Sequence, residues 1–338
     1  MKADMKNEEP EPTMKIRLHG CALGLAAITA AGWVQPVPAQ QYPAKTIRIV
    51  VGYSPGGGTD VLARVLGKKL TESWGQTVVV DNRVGAGGIL ASEIVVKAPP
   101  DGYTLMNVPS THAINPSLFR KLPYDTIKDF TAIGLIATSP NVLVVHPSLP
   151  VKSPRELIAL AKKRPGELTF ASAGVGSTTH LAGEYLRSMA KINALHVPYK
   201  GSGQAEIDLA MGQVQYMVDS TPAALPNIKS GRTRALATTG KERFALLPEL
   251  PTIAESGLPG YESISWWGIV GPAGMPQPLV ERLNREITRI MNLPDVKEQV
   301  RSLGADSWTS TPQQFVDYLR QETDLYARII REAGVKIE

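Results

Sequence analysis

From residue 42 onward, short β-branched runs alternate with longer stretches in which apolar side chains recur at helical spacing. Tyr42–Val51, Thr77–Asn82 and Tyr103–Val108 read as strands, with helices predicted over Asp60–Ser73 and Ile89–Lys97. The βαβαβ order predicts a parallel sheet flanked by helices. Asn115-Pro116 and Leu122-Pro123-Tyr124-Asp125 then mark an extended, turn-rich stretch, after which Thr131–Ala137 and Asn141–His146 read as consecutive strands crossing into a second unit.

The second unit repeats the layout. Helices over Ser153–Arg164, Thr178–Ala190, Gln204–Met211 and Ala223–Ser230 alternate with strands over Leu168–Ser172, Ala194–Pro198, Val214–Asp219 and Ala235–Thr239. Ser153-Pro154 followed by Glu156 combines a capping hydroxyl, a first-turn proline and a capping-box acid. Strand Ser265–Val270 reads as a return crossing, and helices Pro278–Met291, Asp295–Leu303 and Thr311–Ala333 pack back on the first unit. The expected fold is α/β with two lobes, one from 42–140 plus 266–338 and the other from 141–265, joined by two strand crossovers. Ligands of open α/β sheets bind beyond the carboxyl ends of the strands and between domains, so the cleft is the expected site.

Glycine-rich junctions point to what such a cleft handles. Strand Ile47–Val51 runs through Tyr53, Ser54, Gly57, Gly58, Thr59 and Asp60 into an apolar helical stripe, with no lysine or arginine in the turn. Arg83-Val84-Gly85-Ala86-Gly87-Gly88 leads into Ile89–Lys97, and Ser172, Ala173, Gly174, Gly176 and Ser177 lead into a helix opening at Thr178. A helix N-terminus carries roughly half a positive charge and several unpaired N–H donors, so it holds a carboxylate or phosphate without a side-chain cation. A small anionic ligand is the expectation. Glycines are also required wherever strands feed helices closely, so each junction alone has a purely architectural reading.

Composition narrows the class. The 338 residues are 43% hydrophobic and 20% charged, and the formal charge of +5 is spread out, with no basic cluster denser than Lys162-Lys163-Arg164. A nucleic-acid footprint is absent. Met14-Lys15-Ile16-Arg17, the apolar Cys21–Ile28 and Val37-Pro38-Ala39-Gln40 have the three parts of a secretory signal, with cleavage expected near Ala39 and Met14 as the natural start. Residues 1–39 are therefore set apart as extension and signal peptide. Cys21 is the only cysteine and opens the apolar stretch rather than following it, unlike a lipobox. The mature chain has no thiol to form a disulfide or bind metal. No apolar run after residue 39 approaches the roughly 20 residues of a membrane span.

Rival chemistries leave weaker traces. Gly52-Tyr53-Ser54-Pro55-Gly56 fits G-x-S-x-G between strand and helix, the context of a nucleophile elbow, so a secreted serine hydrolase using Ser54 is the alternative reading. Against it, the residue after the nucleophile must donate a backbone N–H to the oxyanion, and Pro55 has none. Dinucleotide and P-loop fingerprints are incomplete, and His19, His112, His146, His180 and His196 show no metal-ligand pairing, so no cofactor or metal is expected. Trp266 and Trp267, neighbours on a strand, point to opposite sides, so lining of the cleft and core packing of at least one of them are equal readings. Arg64 and Arg83 stay outside the expected site, since Arg83 has Asp81 and Asp101 as alternative partners.

Pro55–Asp60 with Ala63-Arg64, Asn82-Arg83 with Gly85–Gly88, Asp101–Leu105, and Thr111–Pro116 together resemble the substrate-binding proteins of tripartite tricarboxylate transporters, the Bug or TctC-like family. The second half agrees through Ala171–Ser177 with His180-Leu181, His196–Gly201, and Trp267-Gly268 with Gly271–Gly274. The resemblance covers roughly residues 42 to 335. It implies a two-lobed periplasmic binding protein of the type II, Venus-flytrap kind, monomeric, that closes on a small carboxylate and presents it to membrane transporter subunits. It implies carboxylate contacts from the loop Tyr53 to Asp60, partly through water, and from Ser172 to Thr178. Ser110-Thr111 and Asp219-Ser220 align with the cleft mouth, where Asp219 either meets a ligand ammonium or hydroxyl or caps the next helix.

Overall fold

The computed structural model describes residues 42–53, 55–199 and 201–335. The signal-peptide reading, with Met14, Cys21 and Ala39, and the nucleophile reading of Ser54 lie outside the described residues. The first run comprises β1 (Ile47–Val51), α1 (Gly58–Trp74), β2 (Val78–Asn82), α2 (Ile89–Val96) and β3 (Thr104–Pro109), with β1 parallel to β2 on one side and to β3 on the other. Gly52 permits the turn after β1 to approach α2, since a Cβ there would stand 2.7 Å from the Gly88 Cα.

Two stretches depart from the sequence reading for visible reasons. Residues expected to be extended form helix α3 (Thr111–Leu118) with Pro116 inside it. Proline deprives the carbonyl four residues back of its donor, and that carbonyl, of His112, receives the Thr126 hydroxyl instead at 3.5 Å. The two strands expected around Pro140 are one 16-residue strand, β4 (Phe130–Val145). Pro140 marks a change of partner rather than a break.

The remaining elements are α4 (Pro154–Lys163), β5 (Thr169–Ser172), α5 (Thr178–Ala190), β6 (Leu195–Pro198), α6 (Ser202–Ala210), β7 (Tyr216–Ser220), α7 (Thr221–Lys229), β8 (Arg234–Thr238) and β9 (Ile264–Pro272). Helices α8 (Gln277–Met291) and α9 (Pro294–Ser302), the short β10 (Asp306–Ser307) and helix α10 (Pro312–Ala333) follow. The strands run in the order β2-β1-β3-β9-β4-β7-β5-β6, with β8 and β10 also paired to β4. Residues 130–140 of β4 pair with β9, and Asn141–Val145 pair with β7. A single strand therefore belongs to both halves of the sheet.

Alternation along β9 divides its tryptophans. Trp266 is fully buried, edge-on to Phe315 at 5.8 Å, and its indole N–H donates to Glu322 at 2.9 Å. Burial pushes the Glu322 carboxyl up to about 7. Gly268 lies under the same helix, where a Cβ would meet the Phe315 ring at 2.3 Å, so α10 rests directly on the β9 backbone. Thr311 and Gln314 close a capping box at its start.

Two buried histidines, His112 and His180, and the half-buried His196 are held as neutral rings. Desolvation holds His112 down to about 4, His180 to about 3 and His196 to about 4. His180 and His196 stack with centroids 3.9 Å apart, and a proton on either ring would repel the other. In the unfolded chain these imidazoles titrate near their ordinary value of about 6.5. The folded state therefore binds fewer protons below that pH, and stability is lost as pH falls from about 6.5 toward 4. The expected result is a melting temperature that drops across this window, with a shallower slope in a His180→Gln/His196→Gln variant. Equal slopes in parent and variant would show that the pair contributes nothing to acid sensitivity.

Candidate functional site

Four strands end by feeding helices whose N-termini surround one cavity. β1 leads to α1, β3 to α3, β5 to α5 and β7 to α7. The cavity, of about 340 Å³, is lined at those starts by Gly58 and Thr59, Ser110 and Thr111, Thr178, and Ser220 with Pro222. Tyr53, Gly56, Pro109, Val61, Leu62, Ser265, Trp267, Leu303 and Ala305 complete the wall. None of these residues is ionisable at neutral pH. The summed positive ends of the helices set the local field instead.

The α1 junction is held open by its neighbours. Its cap, Gly57, has no side-chain acceptor, and the first helical bond is Val61 N–H to the Gly57 carbonyl, so the N–H groups of Gly58, Thr59 and Asp60 have no intrahelical partner. Asp60 does not turn into the cavity. Its carboxylate, 1% exposed, accepts from Gly56 N–H at 2.9 Å, Asn82 Nδ2 at 2.9 Å and Arg64 Nε at 2.9 Å. Burial alone would raise its pKa, but these donors outweigh burial and hold it below the usual carboxylate range. Thr59 is fixed on two sides: its carbonyl accepts from Asn107 Nδ2 at 2.7 Å and its hydroxyl from Trp267 Nε1 at 3.0 Å. Trp267 is thus the cleft-facing member of the tryptophan pair.

Junction residues on the far side of Tyr53 act as a brace. Ala86 and Gly87 lie in a single 3-10 turn outside the cavity lining, and the Gly87 carbonyl accepts from the Tyr53 hydroxyl and from Asn115 Nδ2, each at 3.1 Å. The Tyr53 hydroxyl also bonds to Thr111 Oγ1. Ser110, 1% exposed, accepts the Trp266 N–H at 2.9 Å and ties β3 to β9. Arg83 pairs with Asp81 at 3.1 Å, and Arg64 with Asp60, so neither contributes to the lining.

The second glycine loop is folded onto itself. Ser177 caps α5 by accepting from His180 N–H, and its own hydroxyl donates to the Gly174 carbonyl at 2.7 Å. Gly176 N–H donates to His180 Nδ1 at 3.1 Å, which requires the neutral imidazole described above. Ser172 is buried against His196 Nε2 at 2.7 Å, and Ala173 N–H is taken by Thr179. Of this loop and its helix start, only Thr178 lines the cavity. Asp219 is also outside it: fully buried, it accepts from Ser202 Oγ at 2.7 Å and Ser220 N–H at 2.8 Å. Burial, reinforced by the neighbouring Glu206 carboxyl, pushes Asp219 well above its usual range.

Sequence reasoning missed Leu303 and Ala305, which follow α9 and enter the cavity from the C-terminal part of the chain. Gly304 between them has φ +80°, and a Cβ there would stand 2.9 Å from Pro222. No motif announces these residues, since their role comes from contact across the sheet. Among the described residues no cluster of three or more histidine, cysteine or acidic side chains could hold a metal ion, and no helix is long and apolar enough to cross a membrane.

Known proteins resemble this chain in sequence and fold. Residues 62–335 match the family model described as tripartite tricarboxylate transporter family receptor. A UPF0065 protein from the tcbD-tcbE intergenic region of Pseudomonas sp. (strain P51) is 40% identical over 311 residues, 92% of each chain. Protein BugT of Bordetella pertussis is 39% identical over 315 residues, 92% of this chain and 96% of its own. Among solved structures, an R. palustris protein with adipate is 38% identical with a TM-score of 0.78, covering 87% of this chain and 99% of its own. MatC from Rhodopseudomonas palustris with bound malate is 32% identical with a TM-score of 0.73, covering 86% and 100%. The matched family and these neighbours are receptors rather than enzymes, and the hydrolase alternative is dropped. The chain belongs to the TctC family of tripartite tricarboxylate transporter receptors, which includes the Bug proteins, and has their two-lobed α/β binding-protein fold.

Proposed function

We propose that the protein is exported to the periplasm, binds a small carboxylate in the cavity between its sheet halves as a monomer, and delivers it to the membrane subunits of a tripartite tricarboxylate-type transporter. The observation that carries this reading is the convergence of four helix N-termini on a cavity whose lining has no charged side chain. A carboxylate there meets donors that are already oriented, and each charge-assisted bond is worth about 1.5–3 kcal/mol net. The adipate and malate of the two solved relatives support the ligand class.

Within this reading the lobes are 42–140 plus 266–338 and 141–265, and β4 and β9 carry the crossings. Binding closes the lobes as a hinge. The contacting groups proposed are Tyr53, Ser54, Gly57, Gly58 and Thr59 with the Asp60 N–H on one side, and Ser110, Thr111, Thr178 and Ser220 around them. Ala86, Gly87, Ser172, Ala173, Gly174, Gly176, Ser177 and the Asp219 carboxyl shape the walls behind. Small-angle scattering should show a smaller radius of gyration when ligand is added; binding without compaction would contradict the hinge.

Gly58→Val separates backbone recognition from recognition by a cation. A Cβ at Gly58 already stands 3.2 Å from the Trp267 ring, so the larger side chain occupies the approach to the first-turn N–H groups. Calorimetry over adipate, benzoate, malate and citrate should show affinity reduced a hundredfold or more in Gly58→Val, whereas Arg83→Gln binds like the parent. A folded Gly58→Val with parent affinity, or loss of binding in Arg83→Gln, would move the carboxylate elsewhere.

A further inference from the structure

Resting on the carboxylate reading, we propose that the ligand is an acid with a hydrocarbon body, a saturated chain or an aromatic ring, and without an ammonium group. Beside the helix-start donors, the cavity wall includes the apolar side chains of Val61, Leu62, Pro222, Leu303 and Ala305 and the body of Trp267. An apolar body buried there is favoured by roughly 25 cal/mol for each Å² removed from water, whereas a hydroxyl is not.

Polar side chains in the lining are mostly occupied already. The Trp267 N–H is given to Thr59, the Ser110 hydroxyl bonds to the Trp266 backbone, and the Tyr53 and Thr111 hydroxyls bond to each other. An ammonium group needs acceptors and a counter-charge, yet no Asp, Glu, His, Asn or Gln lines the cavity. The nearest acid to the Ser220 wall, Asp219, is fully buried with one oxygen bonded to Ser202 and Ser220. The positive ends of the helices would repel a cation as strongly as they attract the carboxylate. At about 30 Å³ per water volume, the 340 Å³ space takes a ligand of roughly ten heavy atoms.

Wall residues should then govern selectivity through matched ligands. Calorimetry on the full chain would compare adipate with 3-hydroxyadipate and 3-aminoadipate, and benzoate with 4-hydroxybenzoate and 4-(aminomethyl)benzoate, with malate and citrate alongside. The expected result is that adipate or benzoate binds, that its hydroxylated partner is tenfold or more weaker, and that its amino partner is a hundredfold or more weaker. Leu303 is half-buried, and Leu303→Asn should narrow the hydroxyl penalty at least fivefold; Ala305→Ser serves the same purpose should Leu303→Asn not fold. An amino or hydroxy acid that binds as tightly as its hydrocarbon parent overturns the inference, as does an unchanged penalty in the folded wall variants. Binding of malate or citrate without adipate or benzoate overturns it while leaving the carboxylate reading intact. Silence from every acid removes both.

Discussion

Asp60 sits in the first turn of α1, where a free carboxylate would cancel much of the positive end of the helix, and the rest of the site depends on how that charge is disposed of. Arg64, Asn82 and the Gly56 N–H take its oxygens, leaving it 1% exposed. The same bonds fix the turn between β1 and α1, because Gly56 precedes the helix, while Asn82 ends β2 and also reaches the Tyr53 carbonyl at 3.0 Å. One acid thus sets the loop shape, and its own cation neutralises it away from the cavity. The backbone N–H groups of Gly58, Thr59 and Asp60 remain the electropositive feature on that side.

A neutral donor set suits a carrier. A ligand carboxylate buried against an arginine must repay the desolvation of two ions, which costs several kcal/mol for each. Backbone dipoles fixed by Asn107 and Trp267 at Thr59 require no such reorganisation. Under the proposed function the ligand must also be released to a transporter, and a site of modest individual bonds spread over four helix starts would lose them stepwise as the proposed lobes part. β4, shared by both halves of the sheet, is the element that would accommodate such a proposed motion.

Much of this arrangement was legible in the sequence. The β1–α1 junction and the repeated βα order follow from periodicity and glycine placement, whereas alternation alone left open which of Trp266 and Trp267 enters the core, and the family resemblance was confirmed over most of the chain. Other features required three dimensions. Pro116 reads as a helix breaker until the Thr126 hydroxyl is seen on the His112 carbonyl. Hydroxyls at Ser172 and Ser177 look available in sequence, yet His196 and the α5 cap consume them. Leu303 and Ala305 carry no local signal, since Gly304 between them is held by contacts distant in sequence, packed close to Pro222 and with its carbonyl bonded to the Ser139 hydroxyl.

The central claim is that uncharged donors at the start of α1 hold the ligand carboxylate. A crystal structure of the complex with the tightest acid found in the calorimetric series tests it most directly. The account predicts a carboxylate oxygen about 2.7–3.2 Å from the N–H groups of Gly58, Thr59 or Asp60, or linked to them by one water, with Asp60 still clamped by Arg64. A carboxylate paired instead with Arg64 or Arg83, with the α1 start unoccupied, would contradict it.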